Sequence, residues 1–138
     1  MNYTLADRTL TSRFFLGTAT YPSPKILNEA IIASEAQVVT VGLKRQLAPG
    51  QNVLTKSTTD GVDNTFFQML KQSGAHLLPN TAGCKTAREA ITLAQMAREI
   101  FETNWIKLEV IGDDYTLQPD PIELLSATKE LIAQGFEV

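Results

Sequence analysis

The chain is poor in the residues that build disulfides and metal sites. Its 138 residues include one cysteine, Cys84, and one histidine, His76. A single cysteine excludes a disulfide within the chain and is compatible with a reducing cytoplasm. One histidine and one cysteine also fall short of the four side chains that usually hold structural zinc, so we expect no metal site.

Long apolar runs and basic clusters are missing as well. No stretch is long enough to span a bilayer, and residues 1–4 do not have the basic and then apolar layout of a signal peptide. The 12 basic and 15 acidic side chains give a net charge of −3, and the basic ones are scattered along the chain. These features favour a cytoplasmic protein that binds neither membranes nor nucleic acid.

Short apolar runs alternate with segments of helical periodicity. The strand candidates are residues 14–16, 38–41, 76–78 and 105–111, of which the last is the longest. The helix start signals are Ser23-Pro24, Asp63 or Asn64, Thr86 with Glu89, and Asp120-Pro121, and Gly74 is a stop signal. The expected buried helix positions include Ile26, Leu27, Ile31, Ala90, Ala94, Phe101, Leu125, Leu131 and Ile132. This βαβαβαβα order predicts parallel strands covered by helices.

The number of strand–helix units indicates part of a larger fold. A (β/α)8 TIM barrel of about 250 residues uses about 31 residues for each unit. Residues 1–138 therefore fit one domain of four βα units, and residues 134–138 have the composition of a helix stop and the start of strand five. The alternative is a flavodoxin-like sheet that lacks its last helix. Because a half-barrel has open strand edges, we expect it to associate with itself.

One segment does not fit the compact pattern. Residues 46–62 are rich in Gly, Pro, Ser, Thr and Asn, and the segment is long for a connection between a strand and a helix. In a barrel this segment would follow the second strand and lie on the face where barrel enzymes bind their substrates. It is therefore a candidate lid, with a mobile surface loop as the alternative.

Lys107 and Glu109 are the candidate catalytic residues. Side chains alternate along a strand, so Lys107 and Glu109 share one face while Ile106, Leu108 and Val110 share the other. An amine beside a carboxylate suits imine chemistry, in which the amine attacks a carbonyl and the carboxylate moves protons on the adjacent carbon. The alternative is an ordinary solvated strand face.

Two further polar residues end the third predicted strand. Asn80 and Thr81 follow an apolar run at the end where parallel strands present their side chains to a substrate. They are therefore candidate substrate-binding residues. The alternative is that they satisfy backbone groups in a turn.

Five segments, taken in chain order, carry features that a known family shares. They are residues 12–18, 39–45, 77–84, 104–110 and 117–121. Each segment alone is weak evidence, but together they cover nearly the whole chain in the family's order. On these segments the chain resembles the bacterial thiazole synthase family of thiamin biosynthesis.

The resemblance implies an enzyme with defined substrates. Lys107 matches the family's lysine, which forms an imine with the ketone of deoxyxylulose phosphate, and Glu109 matches a glutamate placed for acid–base steps. Sulfur arrives as a thiocarboxylate on the C-terminus of a small sulfur carrier protein. Dehydroglycine supplies the remaining atoms of thiazole phosphate. The resemblance implies no metal and no redox cofactor.

The chain also departs from the family. The second catalytic acid and the phosphate-binding loops of the family match nothing in these 138 residues, and residues 46–62 match it poorly. Ala19-Thr20 stands where the family often has a different pair. We therefore expect this chain alone to be inactive in ring closure. The alternatives are another Schiff-base aldolase barrel and an inactive half-barrel that serves as a self-associating or binding module.

Overall fold

A computed structural model describes residues 2–46 and 65–138, which form a mixed α/β fold. The strands are β1 (Tyr3–Leu5), β2 (Arg8–Leu10), β3 (Phe15–Gly17), β4 (Val38–Gly42) and β5 (His76–Asn80). The helices are α1 (Pro24–Ser34), α2 (Leu43–Gln46), α3 (Thr65–Gln72), α4 (Ala87–Phe101) and α5 (Pro121–Ala133). In the stretches that the structure describes, every helix falls short of the length and apolar character needed to cross a membrane.

Two expectations of the sequence analysis lie outside the described residues. The candidate lid at 46–62 falls there apart from its first residue, which ends α2. The candidate helix caps Asp63 and Asn64 fall there too.

The chain divides into two compact units. The first unit consists of Met1–Val41 and Arg45–Leu77, and the second consists of Gly42–Lys44 and Leu78–Val138. The expectation of one domain over residues 1–138 stays a prediction.

The predicted parallel sheet is present. β3 pairs with β4 in parallel, with Phe15 opposite Val38, and the strand order is β3-β4-β5. Val38, Val39 and Val41 are fully buried, as their β-branched side chains predict. The parallel sheet and its βα units are thus confirmed, and they are consistent with part of an α/β barrel.

An antiparallel hairpin precedes this sheet, and the sequence analysis missed it. β1 and β2 pair with Tyr3 opposite Leu10 and Leu5 opposite Arg8. Ala6 turns the chain with a positive φ of 50°. β1 (Tyr-Thr-Leu) and β2 (Arg-Thr-Leu) lack the continuous apolar run that marks residues 14–16, which is why the predicted order began at β3.

The start of α1 follows its sequence signal. The Ser23 hydroxyl accepts a hydrogen bond from the Ile26 N–H at 3.3 Å, and Pro24 occupies the first helical position. Leu27 and Ile31 are buried as expected. The prediction was wrong for Ile26, which is exposed. Periodicity places Ile26 beside the buried stripe, but it does not give the width of the surface that covers the helix.

In the second unit, side chains accept hydrogen bonds from the backbone N–H groups around the start of α4. Thr86 accepts from the Glu89 N–H, and the Glu89 carboxylate accepts from the Lys85 N–H at 2.9 Å. The Ala87 N–H donates to the carboxylate of Glu123 on α5 at 2.6 Å. The predicted capping residues are therefore confirmed, with an added carboxylate from the neighbouring helix. The buried positions of α4 are Ala90, Ile91, Leu93, Ala94, Ala97 and Phe101.

α5 also begins as predicted, but its buried face is narrower than expected. The Asp120 carboxylate accepts from the N–H groups of Ile122 and Glu123, each at 3.0 Å. Leu131 is fully buried, whereas Leu125 and Ile132 are exposed. The prediction that Leu125 and Ile132 are buried was wrong.

The predicted strand at residues 105–111 is wrong as a continuous element. It makes three isolated bridges instead, pairing Lys107 with Asn80 in parallel, Trp105 with Glu137 in parallel, and Ile111 with Pro119. A regular ladder stops because the chain after β5 turns at Thr81, whose carbonyl accepts from the Cys84 N–H at 3.1 Å. The parallel bridge between Trp105 and Glu137 agrees with the prediction that strand five of a barrel starts within residues 134–138.

His76, the only histidine, begins β5 and has a lowered pKa. Burial lowers the pKa below 6.5, the charge of Arg8 lowers it further, and Asp7 opposes the shift. The unfolded chain therefore takes up the proton first as the pH falls. The stability that neutral His76 contributes is present above the unfolded pKa of 6.5 and is lost as the pH falls from there toward the folded pKa.

We expect His76→Gln to flatten the acid side of the stability profile. Between about pH 7.5 and about pH 5.5, the wild-type protein should lose more free energy of unfolding than the variant, because glutamine does not titrate. Urea unfolding at several pH values measures both slopes. Equal slopes in the two proteins would contradict this account of His76.

Candidate active site

Lys107 and Glu109 form an ion pair at the surface of the second unit. The Lys107 Nζ lies 3.4 Å from Oε1 of Glu109, and the two side chains are 51% and 37% exposed. Ile106 and Val110 are buried and Leu108 is half-buried, so the predicted alternation of faces is observed at Ile106 and Val110 and only in part at Leu108. An ion pair with this exposure contributes little to stability, on the order of 0–1 kcal/mol. Both polar ends remain accessible to a small molecule.

The backbone that carries this pair is fixed on two sides. The Lys107 N–H donates to the Pro79 carbonyl at 2.8 Å, next to the end of β5. On the other edge, the Ile106 N–H donates to the Glu137 carbonyl at 2.9 Å. The position of the pair is therefore set by backbone hydrogen bonds within the second unit, although the side chains themselves reach solvent.

Thr81 lies beneath the pair and is fully buried. Its hydroxyl accepts from the Glu109 N–H at 2.7 Å and donates to the Glu109 carbonyl at 2.8 Å. Its own N–H donates to the Lys107 carbonyl at 3.2 Å. Thr81 thus contacts the backbone of both candidate catalytic residues.

Asn80 ends β5 beside Lys107. Its Oδ1 accepts from the Ala82 N–H at 3.2 Å, which closes the turn after the strand. The side chain is only partly buried. A role for Asn80 and Thr81 in substrate binding stays a prediction.

Residues 112–119, which follow the segment at 105–111, were not among the candidate functional residues, although they carry turn signals. Asp113 accepts from the N–H groups of Tyr115 and Thr116 and from the Thr116 hydroxyl. The hydrogen bonds from Thr116 lower the pKa of Asp113. The Lys85 Nζ lies 2.6 Å from Asp114, a hydrogen bond that raises the pKa of Lys85. The pair Gly112-Asp113 between an apolar run and Pro119 is the signal that predicts such a turn.

This turn projects an aromatic side chain into solvent. Tyr115 is 98% exposed, and the exposed Leu117 has a positive φ of 59°. Non-glycine residues rarely adopt this conformation, and here the bonds to Asp113 and the Ile111–Pro119 bridge hold the turn. Hydrogen bonds within the loop therefore hold its conformation. The loop follows the Lys107–Glu109 pair in the sequence and exposes apolar surface.

Comparison with known proteins identifies the family. Residues 4–138 match the sequence profile of the family described as Thiazole biosynthesis protein ThiG. The chain belongs to this family. The resemblance drawn from the five segments is therefore confirmed.

Curated relatives in the ThiG family are similar to almost all of this chain. A thiazole synthase of Coxiella burnetii (strain RSA 493 / Nine Mile phase I) is 48% identical over 129 residues, which are 94% of this chain and 46% of the relative. A thiazole synthase of Burkholderia pseudomallei (strain K96243) is 50% identical over 135 residues, which are 98% of this chain and 46% of the relative. The chain thus spans about half the length of the curated relatives it matches.

A solved structure has the same fold as this ThiG-family chain. The crystal structure of the Amycolatopsis orientalis BexX/CysO complex contains a chain that matches with a TM-score of 0.68 and 22% sequence identity. The match covers 96% of this chain and 50% of the solved one. At this identity the likeness concerns the fold.

Within the ThiG-family site, the start of α4 is not available to an anion. Two carboxylates, from Glu89 and Glu123, already accept hydrogen bonds from the backbone N–H groups of Lys85 and Ala87. A helix N-terminus binds phosphate through such groups, and here negative side chains occupy them. Among the described residues, His, Cys, Asp and Glu form no group of three or more that could hold a metal ion.

The single cysteine lies in the turn between β5 and α4, where its surroundings disfavour the reactive thiolate. Cys84 is buried, and burial raises the pKa of its thiol more than the charge of Lys44 lowers it. The thiolate is the reactive form of cysteine, so this environment argues against a nucleophilic role. Its backbone has a structural role, because the Cys84 carbonyl accepts from the Ile111 N–H at 2.8 Å.

Proposed function

We propose that this chain carries the catalytic lysine and glutamate of a thiazole synthase in thiamine biosynthesis. The observation that carries the proposal is the Lys107–Glu109 pair, 3.4 Å apart and accessible, on a backbone fixed at both edges in a member of the ThiG family. We also propose a half-barrel of four βα units in which residues 105–111 take the place of the fourth strand, supported by the parallel pairing of β3 with β4 and the parallel bridge of Lys107 with Asn80.

The proposed chemistry begins at Lys107. Its ammonium gives up one proton, the neutral Nζ attacks the ketone carbon of deoxyxylulose phosphate, and the return of that proton lets the carbonyl oxygen leave as water and a protonated imine form. The imine withdraws electrons from the adjacent carbon and makes its C–H acidic. The Glu109 carboxylate, two residues along the same face, accepts that proton and can return it at a later step.

The remaining atoms of the ring come from two other reactants in this proposal. Sulfur arrives as the C-terminal thiocarboxylate of a sulfur carrier protein, and dehydroglycine supplies the other atoms. The structurally similar Amycolatopsis orientalis protein is found in a complex of BexX with CysO, which supports a protein partner for this fold. No metal or redox cofactor takes part in these steps.

A second candidate function is a self-associating module without catalysis. The observation that favours it is the outer face of α5, where Ile122, Leu125 and Ile132 are exposed. Exposed apolar side chains on one element are typical of an interface. Self-association is compatible with the enzyme as well, so trapping of the imine separates the two candidates.

We expect Lys107→Ala to abolish the adduct that borohydride traps with deoxyxylulose phosphate, because the variant has no amine at this position. Mass spectrometry of the reduced protein measures the adduct and locates it. The matched control is Lys85→Ala, which removes another exposed lysine paired with a carboxylate, at 2.6 Å. The control should keep the wild-type adduct.

An undiminished adduct in Lys107→Ala would reject Lys107 as the imine-forming residue. An adduct with simple aldehydes but not with the sugar phosphate would indicate a Schiff-base aldolase. A wild-type protein that forms no adduct would favour the module without catalysis.

We expect Glu109→Gln to leave imine formation largely intact and to slow the proton transfers that follow by roughly a hundredfold or more. The amide cannot accept the proton from carbon. Solvent-deuterium incorporation into the trapped sugar is the measurement, and Asp114→Asn is the control because it also neutralises a lysine-paired carboxylate. Incorporation at the wild-type rate would leave Glu109 as an ion-pair partner only.

We expect the tail of the sulfur carrier to contact the loops that follow β5 and residues 105–111. A photo-reactive phenylalanine analogue replacing Tyr115 should crosslink to the carrier, since this side chain is 98% exposed. The same analogue replacing the exposed Lys129 is the control, because it lies about 12 Å along α5 from the helix start. Crosslinking at 129 and not at 115 would place the carrier elsewhere.

A further inference from the structure

Thr81 makes an unusual set of contacts for a threonine at the end of a strand. Its hydroxyl makes two hydrogen bonds to one residue. The oxygen accepts from the Glu109 N–H at 2.7 Å, and the O–H donates to the Glu109 carbonyl at 2.8 Å. The Thr81 N–H donates to the Lys107 carbonyl at 3.2 Å. One buried residue therefore holds the backbone of both members of the ion pair.

The hydroxyl replaces a backbone partner that the fold does not provide. The chain leaves the direction of β5 at Thr81, where its carbonyl accepts from the Cys84 N–H at 3.1 Å. The next backbone bond along the pairing edge joins the Ile111 N–H to the Cys84 carbonyl at 2.8 Å. Between Lys107 and Ile111, the hydroxyl of Thr81 is what fixes the peptide groups of Glu109 along this edge.

Fixing these peptide groups also fixes the direction of the Glu109 side chain. The N–H and carbonyl of a residue define the orientation of its Cα–Cβ bond, and the carboxylate then needs only its own rotamers to reach Lys107. The observed Nζ to Oε1 distance is 3.4 Å. Proton transfer depends steeply on such placement, since a shift of about 1 Å can cost on the order of a hundredfold in rate.

We propose that Thr81 is a positioning residue that acts through Glu109, in place of the direct contact with substrate that the sequence predicted for it. The side chain is fully buried, and its hydrogen-bonding capacity is directed to the Glu109 backbone. The functional part of this inference rests on the proposed role of Glu109 in moving protons. The structural part, which concerns the hydroxyl and the Glu109 backbone, stands independently of it.

Three variants test the proposal. Thr81→Val keeps the shape but removes the hydroxyl, and Thr81→Ser keeps the hydroxyl but removes the methyl group. The matched control is Thr103→Val. Thr103 is also buried, and its hydroxyl accepts from the Trp105 N–H at 3.2 Å on the same segment, without contacting Glu109. The control therefore separates a general loss of stability from a specific loss at Glu109.

The first measurement is hydrogen exchange at the Glu109 amide, which needs no substrate. We expect this amide to be protected in the wild-type protein and in Thr81→Ser, and to exchange at least about tenfold faster in Thr81→Val because its acceptor is gone. In Thr103→Val the Glu109 amide should keep its protection. Rapid exchange of this amide in the wild-type protein would overturn the proposal even if Thr81→Val did not fold.

The second measurement compares imine formation with proton transfer. In Thr81→Val the borohydride-trapped adduct at Lys107 should form to at least about half the wild-type extent, while deuterium incorporation per adduct falls about ten- to a hundredfold. Thr81→Ser should restore incorporation, and Thr103→Val should not change the ratio. A purely structural role would lower adduct and incorporation together.

The outcomes distinguish this inference from the proposed function. Normal incorporation per adduct in Thr81→Val, a parallel loss of both signals, or no rescue by Thr81→Ser would each overturn the positioning role. If wild-type protein forms no adduct, the proposed function fails. In that case the exchange of the Glu109 amide still decides whether the hydroxyl holds this residue.

Discussion

The arrangement of the candidate site depends on how the backbone at residues 105–111 is held. This segment is not part of a regular ladder, and it is fixed by separate hydrogen bonds to the end of β5 on one edge and to Glu137 on the other. Buried backbone groups need partners, because an unpaired one costs on the order of 1–3 kcal/mol. The hydroxyl of Thr81 supplies partners where the neighbouring chain turns away. Lys107 and Glu109 can therefore be accessible without being loosely placed.

Carboxylate side chains near the start of α4 likewise act as hydrogen-bond partners of backbone groups. The Ala87 N–H at the start of α4 donates to the carboxylate of Glu123, which links α4 to α5, and the Lys85 N–H just before the helix donates to the carboxylate of Glu89. Negative groups at a helix N-terminus also interact favourably with the helix dipole. The observed hydrogen bonds at this helix end therefore stabilise the fold.

The sequence predicted the features that depend on near neighbours in the chain. Ser23, Thr86 and Asp120 cap helices as expected, because a cap needs only residues two or three positions away. The burial of Ile106 and Val110 was also predicted correctly, since it follows from an extended backbone, whereas Leu108 on the same predicted face is only half-buried. The errors concern longer distances. Ile26, Leu125 and Ile132 fit an apolar stripe but are exposed, because periodicity does not specify how much surface the neighbouring elements cover.

The sequence by itself determined the order of the strand–helix units from β3 to α4, the family of the chain, and the candidate pair Lys107 and Glu109. These depend on local propensity and on the identity of residues along the chain. Only the tertiary structure decided that residues 105–111 form separate bridges and that Thr81 binds the backbone of Glu109 across a separation of 28 residues. A threonine after a strand has the same sequence signature whether its hydroxyl faces a substrate, a turn or another segment. The partner of a hydroxyl is fixed only when distant parts of the chain are packed together.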